Sequence, residues 1–194
     1  MNGDLLIPAI GFGFVTASIL AVGAVGFTLQ FSVTNVLNLA FGSVMTIAGF
    51  TAYAMNTAGV NIWLCLIVAG LAGGVVSVIL NALLFAPLIR RGMKLFGMVI
   101  VTISVALILD HLVQAIVGPS FFSYQVSAGR TIHIGAMVFT TTELITIGIA
   151  VGAMLAIHVG LKYTRLGKAM RAVATNPLLA RASGIRTHRV VNLA

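Results

Sequence analysis

Charge is what this sequence has least of: 7% of its 194 residues are charged and only three of them are acidic. So few polar side chains cannot cover a water-facing surface around a chain that is 60% hydrophobic, which excludes an ordinary soluble fold. Cysteine occurs once, as Cys65 in an apolar run. That excludes an internal disulfide and a cysteine-based zinc site, and leaves Cys65 as a small packing residue. The sequence has no G-x-x-x-x-G-K-[ST] loop, no serine nucleophile elbow and no histidine pair at metal-ligand spacing. No enzymatic activity, metal or cofactor is therefore expected, and any ATP used has to be bound by another chain.

What the sequence does have is apolar length. Uncharged stretches of 18 or more residues suffice to cross a hydrocarbon core of about 30 Å as helices, which satisfy their own backbone hydrogen bonds in lipid. Five segments are drawn at 7–29, 36–56, 62–85, 96–117 and 140–161, and a sixth begins at Val190 and is cut off. The expected fold is all-α, a polytopic bundle forming one transmembrane domain over 1–194 that is incomplete at its C-terminus. The start carries Asp4, no Lys or Arg, and too long an apolar run for a signal peptide, so it reads as a retained first helix.

The net charge of +8 would suggest nucleic acid in a soluble protein, but its placement argues otherwise. Arg90, Arg91 and Lys94 form one cluster, and seven more cations lie between Lys162 and Arg189. Short loops rich in Lys and Arg stay in the cytoplasm. This orientation puts 86–95 and 162–189 inside, 118–139 outside, and the N-terminus outside, in a multi-pass protein of a bacterial inner membrane.

Gly70-x-x-x-Gly74 and Gly148-x-x-x-Gly152 have the spacing of close helix packing within a bundle. The second segment is less apolar than its neighbours, with Asn35, Asn38, Ser43 and Thr46 in or beside it and Gly42 as a place for a kink. Polar side chains at such depth either line a solute path or hydrogen-bond neighbouring helices. In the outer loop, Ala128-Gly129 marks a turn, and the alternation from Thr131 to Ile134 fits a small surface hairpin.

Asp110 and His111 in the fourth segment are ionisable groups within a span and hence candidates for a proton relay, or for reaching water at the outer interface. Thr140 and Glu143 have capping-box spacing, and His158 falls near the end of the same segment, where a helix C-terminus accounts for it. Asn176-Pro177-Leu178 is only superficially like a water-channel signature, standing once in a basic stretch.

The stretch from Tyr163 to Ile185 is the most informative. Leu166, Ala169, Met170 and Val173 fall on one helical face while Arg165, Lys168 and Arg171 project elsewhere, as in a helix lying on a membrane surface. Asn176 then offers an N-cap, Pro177 a first helical residue, and Gly184 a stop. A mere connection needs only a few residues. Anchoring to anionic lipid explains the charges but not a second capped helix, so the 162–189 loop reads as a cytoplasmic docking element.

With these residues in view, the chain resembles the branched-chain amino-acid type permeases of ATP-binding-cassette importers, whose relatives carry urea and short amides. RLGKAMRAVATNPLLARASGI is similar to that family's coupling segment. GFTLQFSVTNVLNLAFGSVMTIAGFTAY is similar to its first conserved block, in which Asn38, Ala40, Gly42 and Gly49 match. The resemblance implies an ATPase-coupling role for Arg171, Ala174, Asn176, Pro177, Ala180, Arg181 and Gly184. It implies as partners cytoplasmic ATPase subunits, a second permease subunit and a periplasmic or extracellular solute-binding protein, and it makes Asn35, Asn38, Ser43 and Thr46 candidates for the translocation path. Family members continue with further spans, so this chain is expected to be a partial permease. The alternatives are an ion-coupled secondary transporter and a non-transporting membrane docking protein.

Overall fold

The computed structural model describes residues 3–120, 122–125, 129–134, 137–187 and 190–191. Among the described residues, the regular structure is helical apart from one two-stranded hairpin, and four helical runs, over Ala9–Thr34, Ile62–Arg90, Leu95–Val117 and Thr141–Tyr163, are long and apolar enough to cross a membrane. The expected helical membrane bundle is thus present in its coarse form. The chain divides into two compact units, Met1–Thr34 with Ser127–Ala194, and Asn35–Val126.

The first unit contains α1 (Gly3–Thr34), β1 (Thr131–Ile134), β2 (Met137–Thr140), α6 (Thr141–Tyr163), α7 (Arg165–Thr175) and α8 (Pro177–Ala182). The strands pair antiparallel, with Thr131 opposite Thr140 and Ile134 opposite Met137. The hairpin's second strand is therefore 137–140. The expected turn at Ala128-Gly129 falls partly outside the described residues, and Gly129 itself has φ +74°. Strand β2 runs straight into α6 because Thr140 caps it: its hydroxyl accepts from the Glu143 amide at 3.2 Å, and the Glu143 carboxylate accepts from the Thr140 amide at 2.7 Å. This is the reciprocal capping box foreseen from the spacing.

The apolar faces of α7 and α8 close over the C-terminal part of α1. Val33, Met170, Val173, Ala180 and Val190 form the buried core, with Leu29 and Leu161 packed against it. Helix α7 is rotated from its expected setting. Leu166 is exposed and Gly167 is buried in its place. The cause is the close approach of α7 to the last turns of α6, where a Cβ on residue 167 would collide with the carbonyl oxygens of Gly160 and Leu161. Of the sixth segment expected from Val190, only Val190 and Val191 are among the described residues, both helical.

The second unit contains α2 (Phe41–Thr57), α3 (Ile62–Leu80), a π-helical turn (Asn81–Phe85), α4 (Ala86–Arg90) and α5 (Leu95–Val117). The π turn stands just before Pro87, which has no N–H with which to continue the ladder. Gly92, at φ +79°, then ends the run in a tight basic turn, with its amide bonded to the Ile89 carbonyl and that of Met93 to Leu88. The core gathers Val36, Ala40, Phe85, Met98 and Val105, with a second cluster of Ala52, Cys65 and Ala69.

Two expectations change here. The second segment forms a helix of only 17 residues, about 26 Å long, because 35–40 is not helical. The close helix approach falls at Gly73, where an added Cβ would lie 3.3 Å from Ala48, while Gly70, Gly74, Gly148 and Gly152 face open space.

Beyond α5, residues 122–125 fold back on α2. Tyr53 meets Phe122 and Tyr124 edge to face, at 5.2 and 6.1 Å between centroids. The Tyr124 hydroxyl donates to the Gly49 carbonyl at 2.8 Å, and the Gln125 amide donates to Oδ1 of the buried Asn56 at 2.7 Å. Burial, reinforced by the Cys65 thiol, raises the Tyr124 phenol above its ordinary 10.0.

Two measurements follow from this packing. Gly167→Ala should destabilise the purified protein by about 1–3 kcal/mol, the usual cost of overpacking, seen as a lowered unfolding midpoint by circular dichroism in detergent. Gly148→Ala, with room for its methyl, should leave that midpoint nearly unchanged. In an alkaline ultraviolet titration, the difference between wild type and Tyr124→Phe should place the Tyr124 phenolate above pH 10.0. The stability linked to keeping this buried phenol protonated is full below that ordinary value and is lost as pH rises through the raised one.

Candidate functional site

Two constellations hold the residues singled out from the sequence, one in each unit. In the first unit it is an elbow built by α7 and α8. Thr164 ends α6 and begins α7 at once: its hydroxyl donates back to the Gly160 carbonyl and accepts from the Gly167 amide at 3.0 Å. At the second corner, Asn176 leaves helical geometry at φ −155° and ψ 100°. Its Oδ1 accepts from the amides of Leu178 and Leu179 at 3.0 and 3.1 Å, with Pro177 at the first helical position. Gly184, at φ +81°, stops α8, its amide bonded to Arg181 and that of Ile185 to Ala180. These two bonds form a Schellman stop, which glycine makes without strain.

The seven elbow residues therefore play different parts. Asn176, Pro177 and Gly184 shape the corners, and Ala180 is buried in the core. Arg181 donates from Nε to the hydroxyl of the buried Thr187 at 2.9 Å, which ties α8 to the chain beyond the stop. Arg171 and Ala174 are exposed on α7. Sequence reasoning gave no separate role to Leu178 and Leu179, yet they stand 75% and 65% exposed at the tip of α8. A leucine pair in a six-residue helix has no periodicity to reveal which way it faces. Thr164 was findable, because a threonine one residue before a helix start is an N-cap signal. Gly167 was not, since an interior helical glycine reads only as a cost.

In the second unit the constellation is the non-helical segment 35–40 ahead of α2. Asn35 has φ +52°, a left-handed conformation that asparagine tolerates better than most residues. Asn38 is buried, and its Oδ1 accepts from the Ala40 amide at 3.1 Å. The hydroxyl of Thr102, fully buried on α5, is shared between the Val99 carbonyl of its own helix at 2.9 Å and the Leu37 carbonyl at 3.2 Å, and Ser43 donates to the Ala106 carbonyl at 3.3 Å. Thus Asn38 braces the break from within, the Thr102 hydroxyl reaches it from α5, and Ser43 ties α2 itself to α5. Asn35 and Thr46 remain exposed, Thr46 with its hydroxyl bonded back to Gly42 at 3.1 Å. Gly42, expected as the kink, lies inside α2, and the break comes upstream of it. Asp110 is half-buried on α5 and His111 beside it is exposed.

Residues 9–194 match the family model for the permease component of branched-chain amino acid transport systems. The high-affinity branched-chain amino acid transport system permease protein LivH of Escherichia coli K12 is 27% identical, over 93% of this chain and 63% of its own length. Its Salmonella typhimurium counterpart is 26% identical over the same shares, and a probable LivH of Methanocaldococcus jannaschii is 26% identical over 88% of this chain and 56% of its own length. The chain thus spans less than two thirds of the length of the curated relatives it matches. No solved structure matches it. Four helices fit to cross a bilayer, together with a family match over nearly the whole sequence, make this a multi-pass membrane protein that belongs to the permease-component family of branched-chain amino acid transport systems.

Proposed function

We propose that this protein is a permease subunit of an ATP-driven importer for branched-chain amino acids or related small polar solutes such as urea and amides. In this reading 1–194 is a single transmembrane domain. It has five membrane-crossing segments and the start of a sixth, with the N-terminus outside and the basic turn at Arg90 to Lys94 inside. Helix α2 is the short member, completed by the non-helical residues before it. The 162–189 segment is the cytoplasmic coupling loop. The partners are cytoplasmic ATPase subunits, which carry the hydrolysis, a second permease subunit, and a binding protein that delivers solute outside.

The observation that carries the reading is the doubly capped elbow. A connection between spans needs neither two corner caps nor an exposed leucine pair, and a short rigid helix with an apolar tip is what a cleft on another protein can grip. Rigidity matters because a push from the ATPase is transmitted only through elements that do not yield. The cap at Thr164, the close fit at Gly167 and the core around Met170 and Val173 supply it.

The path is assigned to Asn35 and Thr46, with Asn38 bracing the break beside them and Ser43 tying α2 to α5. A non-helical stretch exposes polar backbone at membrane depth, and such stretches occur where they line a cavity or are buried in protein.

Replacing Leu178 and Leu179 together by alanine should lower co-purification of the ATPase subunits and ATP-dependent uptake about tenfold or more, on the scale of losing interface anchors. Membrane insertion should be unaffected. Uptake at wild-type level in that variant would exclude the elbow as the coupling element. For the path, cysteines placed at Asn35 and Thr46 in a Cys65→Ser background should react with a water-soluble thiol reagent, and saturating leucine should slow the reaction. Lack of reaction at both positions would remove them from the path.

A further inference from the structure

Beside the elbow, the first unit contains a cavity of about 420 Å³. Its walls include Thr28, Ser32 and Val33 of α1, Leu161 of α6, and Met170 and Arg171 of α7. The two hydroxyl hydrogens in these walls are taken by their own helix: Thr28 donates to the Ala24 carbonyl and Ser32 to the Thr28 carbonyl, each at 2.7 Å. What faces the space is therefore hydrocarbon, with one cation at its side.

The chain offers that cation no counter-charge in this unit. No Asp or Glu occurs after Glu143. Glu143 is engaged with Thr140 at the far end of α6, 18 residues or about 27 Å along the helix from Leu161. Asp4 lies 24 residues, about 36 Å, up α1 from Thr28. Arg165 and Lys168 on the exposed side of α7 add positive potential.

We propose that this cavity is a binding site for one anionic phospholipid, with an acyl chain along the α1 wall and the phosphate against the Arg171 guanidinium. The C-terminal ends of α1 and α6, both of spanning length, meet α7 here, so the cavity lies where hydrocarbon gives way to headgroups. Basic pockets between spanning helices hold anionic headgroups, and guanidinium pairs with phosphate through two parallel hydrogen bonds. An acidic protein segment would satisfy Arg171 equally, but an extended peptide in this trough would leave its own backbone groups without partners. The acyl chain has none to satisfy. The site requires only that α1 and α6 span a membrane, and so stands apart from the transport reading.

The test uses the whole chain in nanodiscs of equal phosphatidylglycerol and phosphatidylcholine, released into native mass spectrometry. Wild type should retain phosphatidylglycerol in preference to phosphatidylcholine. Arg171→Gln should cut that preference about fivefold, and Thr28→Trp, which fills the cavity from α1 and leaves every elbow residue unchanged, should remove the retained lipid. A photo-crosslinking benzoylphenylalanine at position 28 should give an adduct of phospholipid mass. Equal retention of the two lipids by wild type, unchanged retention in both variants, or an adduct with a second copy or a partner subunit would each overturn the proposal. Loss of uptake in the leucine-pair variant with lipid retention intact would separate the two readings.

Discussion

A backbone that leaves helical geometry in apolar surroundings exposes amides and carbonyls that nothing nearby will solvate, and the architecture of this chain depends on how those groups are met. Each unmet group costs more than a single good packing contact returns. The breaks in this chain are accordingly closed by short polar side chains. Asn38 and Thr102 serve the segment before α2, Thr140 and Glu143 the strand-to-helix junction, and Thr164 and Asn176 the two corners of the elbow. At these positions short polar side chains coincide with the places where helices stop, whereas others, such as Thr28 and Ser32, lie within a helix and bond back to its own carbonyls.

That coincidence explains what could be read in advance. Caps act over three or four residues, so the Thr140–Glu143 box, the Asn176-Pro177 start and the Gly184 stop were legible from spacing alone, and the geometry agrees with each. The long apolar runs gave the four spanning helices within a few residues. What was missed or misread depends for the most part on contacts distant in sequence. Thr102 reaches the Leu37 carbonyl across 65 positions, and nothing near Leu37 announces it. Likewise Gly73, rather than the regularly spaced Gly70 and Gly74, is the glycine under Ala48, because which side of α3 faces α2 is decided by the partner helix. Leu166 and Gly167 exchanged places for a nearer reason: apolarity favoured leucine inward, but the approach to the carbonyls of Gly160 and Leu161 admits only a residue without a side chain.

Small residues thus carry two unrelated meanings along this sequence. Where a neighbouring backbone lies against them, as at Gly167, they permit an approach that fixes the angle between two helices. Where open space faces them, as at Gly148 and Gly152, they leave a smooth surface, and in a membrane such a surface is available to another helix or to lipid. Sequence spacing does not separate the two cases. The atoms that a Cβ would meet do.

The basic excess divides in the same manner. Counted together, the cations look like a single property that sets orientation, and positive-inside statistics treat them so. Taken one by one they are not equivalent. Arg90 sits in the last turn of α4, where the carbonyl end of a helix favours a cation, and Arg181 is engaged with Thr187 across the stop of α8. Arg171 instead borders an apolar cavity with no acidic residue of its own unit in reach. Only a cation of this third kind has to draw its counter-charge from outside its own unit, so the geometry around each guanidinium, rather than the total of +8, decides where an anionic ligand is recognised.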